Sequence, residues 1–508
     1  MKKICILLFV CSVALALDWV GIDKASRQFV VGSNKAILFH GVNAVYKSPP
    51  WLPKTDGWDA ITSLCQKDID DLASWGVNIV RLGIMWPGVR PSEGYIDKDY
   101  LKRVENLVNA LAAKGIYTQL DLHQDLLSRY FCGEGIPDYL IKKMMSSEKP
   151  SDFPRPIMSK FDVDASGYPP LKVCRTAAVF SILYLSEAVN LAFEKLLTKG
   201  TEINREFNGF WEDVATYFSN NPNVMGYDLI NEPFGGNMFT DPNSFFPGVS
   251  DRKYLTPIYE QLRDTIRKVD SNHIIFFEPA STSLGLHAGF SSVPGGDAEL
   301  TKSALSYHTY CPLVTKSGVP RFQFFCDIFE SIGMYTRNAM MKKIGCAGLI
   351  TEMGAVDESD AGLEELDRAM NLADQALHGW IYWSYKDFND LTTVNEDMTE
   401  GFYYKDGTSQ KKKVRLIARP YARTIAGVPV RMSFERDTAK FVLEFVTSSG
   451  VSTRDTEIYV NKEQTYDNKV PKVTVSGATY NIVGSLYTFT HAERTPAGTK
   501  IRITIESA

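Results

Sequence analysis

Two glutamates each close an apolar run. Glu232 ends Val224-Met225-Gly226-Tyr227-Asp228-Leu229-Ile230-Asn231-Glu232-Pro233, and Glu352 ends Ala347-Gly348-Leu349-Ile350-Thr351-Glu352. Retaining glycoside hydrolysis needs such a pair: one carboxylic acid protonates the leaving oxygen while the other carboxylate attacks the sugar carbon. The alternative is a pair of strand-end acids that merely cap the helices after them. What the other strand ends carry decides between the two.

Polar residues gather at those ends. Arg81 and Trp86 follow one apolar run and His123-Gln124-Asp125 another; Asn231 precedes Glu232, His308 and Tyr310 follow a further run, and Trp383 ends the last. The chemistry assigns their roles. Glu352, as nucleophile, must stay ionised, and Arg81 with the Tyr310 hydroxyl would hold it so. Glu232, as acid and then base, must carry its proton into the first step, which the neighbouring charge on Glu352 favours. Asn231 would hydrogen-bond the sugar 2-OH, a contact that strengthens in the transition state, and Trp383 offers the sugar ring a flat face. His123 and His308 are supporting candidates; a lone histidine at one strand end is more often a core residue.

The elements that must position these groups alternate. Strand-like runs fall at Ile37–Asn43, Val77–Gly83, Ile116–Leu122, Val224–Ile230, His273–Glu278, Ala304–His308, Ala347–Thr351 and Gly379–Trp383. They are apolar on both faces, as buried parallel strands are. Helical spacing links Leu101, Val104, Leu107, Val108 and Leu111, and again Leu255, Ile258, Leu262, Ile266 and Val269. The fold class is therefore α/β: a (β/α)8 TIM barrel, with chemistry at the C-terminal ends of its strands. Between the third and fourth strands lies a long excursion, with a loop over Ser146–Leu171 and a helix expected around Ala177–Leu197. From about Arg419 the period changes to strict alternation (Phe441, Leu443, Phe445; Ile501, Ile503, Ile505), which predicts a C-terminal antiparallel β-sandwich. The boundaries are residues 17–420 for the catalytic barrel and 428–508 for the sandwich.

Residues 1–16 read as a secretory signal: Lys2 and Lys3, an apolar stretch from Ile4 to Leu15, and Ala14-Leu15-Ala16 at the cleavage site. The expected location is outside the cell or the lumen of the secretory and lysosomal route. Of eight cysteines, Cys5 and Cys11 would leave with that segment. Cys132 with Cys174 and Cys311 with Cys326 are the expected disulfides, each pair flanking an irregular loop, and Cys346 is expected as a buried thiol. No cysteine or histidine spacing matches a metal site, and no cofactor is called for. The formal net charge of −5 and the scarcity of long basic runs argue against nucleic acid. A monomer is the default.

Longer strings resemble a known family. The Asn231-Glu232-Pro233 and Glu352 pattern is that of glycoside hydrolase family 5, in clan A, which includes cellulases and mannanases. Leu120-Asp121-Leu122-His123-Gln124-Asp125, Gly133-Glu134-Gly135-Ile136-Pro137, Tyr227 through Gly236, and Arg419-Pro420-Tyr421 with Ile425-Ala426-Gly427-Val428-Pro429 are similar to segments of its endoglycoceramidases. The resemblance runs from about residue 20 to the C-terminus. It implies cleavage between the glucose and ceramide of glycosphingolipids, releasing intact glycan, with a membrane or micelle surface as transient partner. It also implies that Asp125 and Lys47 lie near the glucose–ceramide junction. Met353 stands where the family commonly has Phe. A lipid-bearing substrate calls for apolar walls, for which the candidates are Ile136, Tyr139, Leu140, Met144, Met145 and Phe153, and, after the fourth strand, Met238, Phe239, Phe245 and Phe246. Other enzymes of the family, a β-glucosylceramidase or an endo-β-glucanase or mannanase, share the mechanism. A non-catalytic glycan- or lipid-binding barrel would usually have lost one carboxylate.

Overall fold

The computed structural model describes residues 16–176, 180–283, 288–315, 319–388, 390 and 399–508. All but the last residue of the expected signal segment, with Cys5 and Cys11, lies outside the described residues.

Eight parallel strands close into a barrel: His40–Ala44, Ile79–Gly83, Tyr117–Asp121, Val224–Asp228, Ile274–Phe277, Ser303–Thr309, Ala347–Gly354 and Gly379–Trp383. Each pairs with its neighbour in sequence, and the eighth returns to the first, Trp380 opposite His40. Apart from the ends of the sixth and seventh, every strand residue is buried. One strand face fills the barrel and the other lies under helices, so the runs are apolar without alternation. The helices expected from periodicity form at Lys98–Ala112 and Thr256–Arg267.

The third-to-fourth connection differs from the expected long helix. An α-helix spans Glu187–Leu197, preceded by a 3-10 turn at Phe180–Leu185, and Ala177 lies outside the described residues. The Tyr184 hydroxyl accepts from the backbone N–H of Leu126 at 3.0 Å, which draws this turn onto the loop after the third strand. The Cys132–Cys174 disulfide ties the same region together, and Cys311–Cys326 joins the loop after the sixth strand to the helix Gln323–Ile344. Both expected pairings are present, and Cys65 and Cys346 are buried thiols.

Two sheets stand below the barrel. One takes Val428–Glu435, Lys440–Val446, Lys500–Glu506 and Lys472–Ser476. The other runs Val20–Asp23, Gln28–Val31, Lys35–Ile37, Tyr421–Ile425, Asp455–Tyr459, Leu486–His491 and Ala478–Val483, so strands from before and after the barrel share it. The alternating Phe441, Leu443, Phe445, Ile501, Ile503 and Ile505 meet Ile458, Tyr487 and Phe489 in one core. Val20, Ile22, Phe29 and Val31 close the barrel floor against Ile79, Ile274 and Leu349. The sandwich thus supports the end of the barrel opposite its chemistry.

Candidate active site

Arg81, on the second strand, is fully buried and organises the mouth. Its Nη1 donates to Glu352 Oε1 at 2.8 Å and Asn43 Oδ1 at 3.2 Å; Nη2 donates to Asp121 at 2.9 Å, Asn231 Oδ1 at 3.0 Å and Glu278 Oε1 at 3.2 Å; Nε donates to Asp228 at 3.0 Å. A planar guanidinium can distribute donors this way because its fork is rigid. Burial disfavours its charge, but Asp121, Asp228, Glu352 and Glu278 together hold it firmly protonated. Asp228 balances the cluster from the other side: burial lifts its carboxyl well above the ordinary range.

Glu352 rests between two donors, Arg81 on Oε1 and the Tyr310 hydroxyl on Oε2 at 2.9 Å. Glu232 faces it. Donor atoms of Glu232, His308 and Glu352 all lie within 4.8 Å of one another. An oxygen of each carboxyl is thus within reach of one sugar carbon, the close arrangement in which attack is direct, without room for an intervening water. The two carboxyls differ in access: the Glu232 side chain is 35% exposed and that of Glu352 only 7%. The more accessible one is suited to protonating a leaving group and then engaging water. Burial pushes the Glu352 carboxyl above its usual value, against the pull of His308 and Arg81 and with Glu232 adding to the push. The two donors expected to keep it ionised are present, yet burial outweighs the cations.

His308 sits between the carboxylates. Nδ1 is 2.7 Å from Glu232 Oε1 and 3.4 Å from Glu352 Oε2, while Nε2 is 3.3 Å from Glu278 Oε1. Burial disfavours the imidazolium, but Glu278, Glu352 and Glu232 raise its pKa well above the ordinary value. His308 thereby joins Glu232, Glu278 and Glu352 in one charge network.

The remaining expected residues line the side of the first, third and eighth strands. Lys47, 1% exposed, pairs with Asp125 and, at 2.8 Å, with Asp390, and its ammonium lies 4.7 Å above the Trp383 ring. Burial opposes both charges, yet Lys47 and His123 hold the Asp125 carboxyl well below the usual range. His123 stacks on Trp383 with ring centroids 5.1 Å apart, and its Nδ1 meets Asp121 at 2.8 Å. Asn231 is spoken for on both sides: Nδ2 donates to the Gln124 carbonyl at 3.1 Å and Oδ1 accepts from Arg81. The structure therefore brings all ten expected residues to one mouth, in two groups, with Lys47 and Asp125 set apart from the glutamates.

Sequence reasoning missed Glu278, Asp390 and Glu134. Glu278-Pro279 closes the run Ile274–Phe277 as Glu232-Pro233 closes the fourth, so the signal was present. Asp390 and Glu134 belong to loops whose approach to Lys47 no local pattern announces.

The two expected apolar sets fare differently. Ile136, Leu140, Met144 and Phe153 are buried core residues under the third-strand loop, which the Cys132–Cys174 bridge folds onto itself. A cavity of about 340 Å³ opens beside Glu232 and His308, between the fifth and sixth strands and the helix Gln323–Ile344, lined by Pro279, Ala280, Pro312, Phe329 and Met334 among others. Of the set after the fourth strand, Phe239, Phe245 and Phe246 are exposed, as are Leu313, Val314, Phe322, Phe324 and Phe325 after the sixth. Among the described residues no helix is long and apolar enough to cross a membrane.

Comparison with known proteins agrees with this geometry. Residues 41–389 match cellulase (glycosyl hydrolase family 5), and residues 419–505 match the glycoside hydrolase family 5 C-terminal domain. The endoglycoceramidase of Cyanea nozakii is 31% identical over 490 residues, covering 96% of this chain and 93% of its own. Endo-glycoceramidase II from Rhodococcus sp. shares the fold. Its ganglioside GM3 complex superposes with a TM-score of 0.71 at 22% identity, covering 94% of this chain and 98% of that one. Its lactosyl-enzyme intermediate gives 0.72 at 22% identity, covering 97% of this chain and all (100%) of that one. With a family 5 match over both the barrel and the following sheets, and a relative aligned nearly end to end, the chain belongs to glycosyl hydrolase family 5, among its endoglycoceramidases.

Proposed function

We propose that this chain hydrolyses the linkage between the oligosaccharide and ceramide of glycosphingolipids with retention, releasing glycan and ceramide intact. Glu352 attacks the anomeric carbon as Glu232 protonates the ceramide oxygen; water, deprotonated by Glu232, then releases the sugar from Glu352. The observation that carries this reading is the pair of carboxyls within 4.8 Å, one accessible and one enclosed. The substrate class rests on the relatives' activity and on the division of the mouth. Lys47, Asp125, His123 and Trp383 offer hydrogen bonds and a stacking face to a sugar. The cavity beside Glu232 offers Pro279, Ala280, Phe329 and Met334 to a lipid chain. Asn231, held by Arg81 and Gln124, is positioned for the 2-OH.

The exposed Phe239, Phe245, Phe246, Phe322, Phe324 and Phe325 support a transient contact with a membrane or micelle. Two disulfides support a place outside the cell or in the secretory lumen.

The test is incubation with a ganglioside in mild detergent, with products read by mass spectrometry. Intact oligosaccharide and ceramide, both absent with Glu352→Gln, is the expected outcome. Free glucose alone, or activity only on soluble β-glucan, would move the substrate to the β-glucosylceramidases or to the cellulases of the family.

A further inference from the structure

Glu278 has no part in the double displacement as described, yet it touches the Glu232 backbone, Arg81 and His308, which surround it. It follows the fifth strand, is 2% exposed, and spends its two oxygens differently. Oε2 accepts the backbone N–H of Glu232 at 2.9 Å; Oε1 accepts from Arg81 and from the Ser306 hydroxyl, each at 3.2 Å, and lies 3.3 Å from His308 Nε2. Glu232 itself has φ of 38°, in the left-handed region that a residue with a Cβ adopts only when its surroundings enforce it. The Glu278 carboxylate holds that peptide in place.

The reaction moves one negative charge. In the first step the C1–O bond to Glu352 forms, the bond from C1 to the ceramide oxygen breaks, and the Glu232 proton goes to that oxygen. Glu352 loses its charge as Glu232 gains one. In the second step water oxygen bonds to C1, its proton goes to Glu232, and the electron pair of the C1–O bond returns to Glu352. His308 Nδ1 faces both ends of this transfer, 2.7 Å from Glu232 and 3.4 Å from Glu352. We propose that Glu278 is a positioning residue that keeps His308 as a fixed cation between the two glutamates, so that the same imidazolium faces the negative charge before and after it changes carboxylate.

The other groups facing His308 leave this task to Glu278. Arg81 from the second strand is a like charge, Tyr310 is a neutral donor already given to Glu352, and Asp228 has its carboxyl pushed well above the ordinary range by burial. Arg337, on the helix Gln323–Ile344 that lines the same cavity, is cationic, and Glu330 of that helix is paired with Arg368 at 3.1 Å. Glu232 and Glu352 carry one charge between them that moves. Glu278 alone is a constant anion at Nε2: burial opposes its charge, but His308, Arg81 and the Glu232 N–H bring its pKa down to about 2.

This inference rests on Glu232 and Glu352 having the roles proposed above, and the test separates the two. In Glu278→Gln the amide oxygen can still accept the Glu232 N–H, so the peptide stays clamped while the charge is lost. With a soluble aryl lactoside, the alkaline limb of kcat should move to lower pH by one unit or more, with at least a tenfold loss at neutral pH. ¹⁵N-histidine spectra should show His308 protonated at pH 7 in the parent and neutral in the variant. Glu278→Asp should recover part of the limb. A pH profile and His308 spectrum unchanged in folded Glu278→Gln would overturn the proposal. If Glu278→Gln does not fold, the parent spectrum decides: a neutral His308 at pH 7 overturns it. Trapping with a 2-fluoro lactoside checks the underlying reading independently, since failure to label Glu352 would remove the nucleophile assignment whatever Glu278 does.

Discussion

Tyr310 donates its hydroxyl to Glu352 Oε2 at 2.9 Å, on the oxygen that Arg81 leaves open. A carboxylate with one donor on each oxygen is fixed in rotation and favoured in its charged form. Burial nevertheless lifts the Glu352 carboxyl above its usual value. In the nucleophile's role proposed for it, Glu352 works only when ionised, so activity should fall as pH drops through that raised value. Tyr310→Phe should raise it further and move the acidic limb of kcat/KM to higher pH. A hydrogen bond to a charged group contributes about 1.5–3 kcal/mol, so the loss in kcat/KM should be roughly tenfold to a hundredfold. A pH–rate profile on a soluble aryl lactoside checks both, and an acidic limb that stays put would show that Tyr310 does not act through Glu352.

Glu232 reaches Glu352 from the open side of the mouth, and its task depends on the leaving group. Ceramide leaves as a poor alkoxide and needs a proton; a dinitrophenolate or fluoride does not. General acid catalysis contributes about 10²–10⁴-fold. Glu232→Ala should therefore lose about that much on glycolipid and far less in the first step on a dinitrophenyl lactoside. Pre-steady-state bursts on the two substrates make the comparison. Equal losses on both would mean that the change disturbed the site rather than removed a proton donor.

Lys47 lies among Asp125, Asp390 and, at 3.9 Å, Glu134, all of them buried. Lys47→Met strands at least two carboxylates without their cation, a change that costs about 3–5 kcal/mol when the charges stay buried. The midpoint of thermal unfolding should fall, and activity with it. Asp125 has its folded pKa depressed by Lys47 and His123. Its contribution to stability is therefore full above the unfolded carboxylate value of about 3.9 and is lost as pH falls through the depressed folded value. Lys47→Met should weaken that acid-side dependence, leaving only the part that His123 sustains. Adding Asp125→Asn should restore part of the lost stability but none of the activity. A double variant no more stable than Lys47→Met would mean that the pair is not coupled as its geometry indicates.

How much of this was legible follows from the range of each signal. The barrel was, because each strand is a continuous apolar run and the intervening helices keep their period. Glu232, Glu352, Arg81, His308, Tyr310 and Trp383 were, because a barrel sends every strand end to the same mouth whatever the loops do. The floor was not: Val20–Asp23, Gln28–Val31 and Lys35–Ile37 are only 4, 4 and 3 residues long, and the last of them joins the three to a strand that follows the barrel in sequence, Ile37 opposite Thr424. Of the two expected apolar sets, the one before the fourth strand proved buried for another reason. Composition shows that Ile136, Leu140 and Met144 are apolar, but only the folded loop shows that they face inward, while Phe324, in an ordinary helical period, faces out.

That outward face gives the last prediction. Phe322, Phe324, Phe325, Ile328, Ile332 and Tyr335 are all exposed, Phe324 at 70% and Tyr335 at 75%, whereas Phe329 and Met334 of the same helix line the cavity beside Glu232. The helix is therefore apolar on both sides, one toward the cavity and one toward solvent. Its N-terminal end lies at the mouth, because it follows the sixth strand and its first turn is tied there by Cys311–Cys326. A lipid whose glycan enters the mouth must leave its bilayer close by, and phenylalanines inserted in that bilayer would keep the enzyme there while it does. Full burial of a phenylalanine is worth about 1.5–3 kcal/mol, so Phe324→Ser with Phe325→Ser should weaken partition onto phosphatidylcholine vesicles by roughly 100-fold or more. Turnover of glycosphingolipid in those vesicles should fall in parallel, while turnover of a soluble aryl lactoside stays at the parent rate. Loss of activity on both substrates would place the two phenylalanines in the fold, and unchanged vesicle binding would leave this face without a role at the membrane.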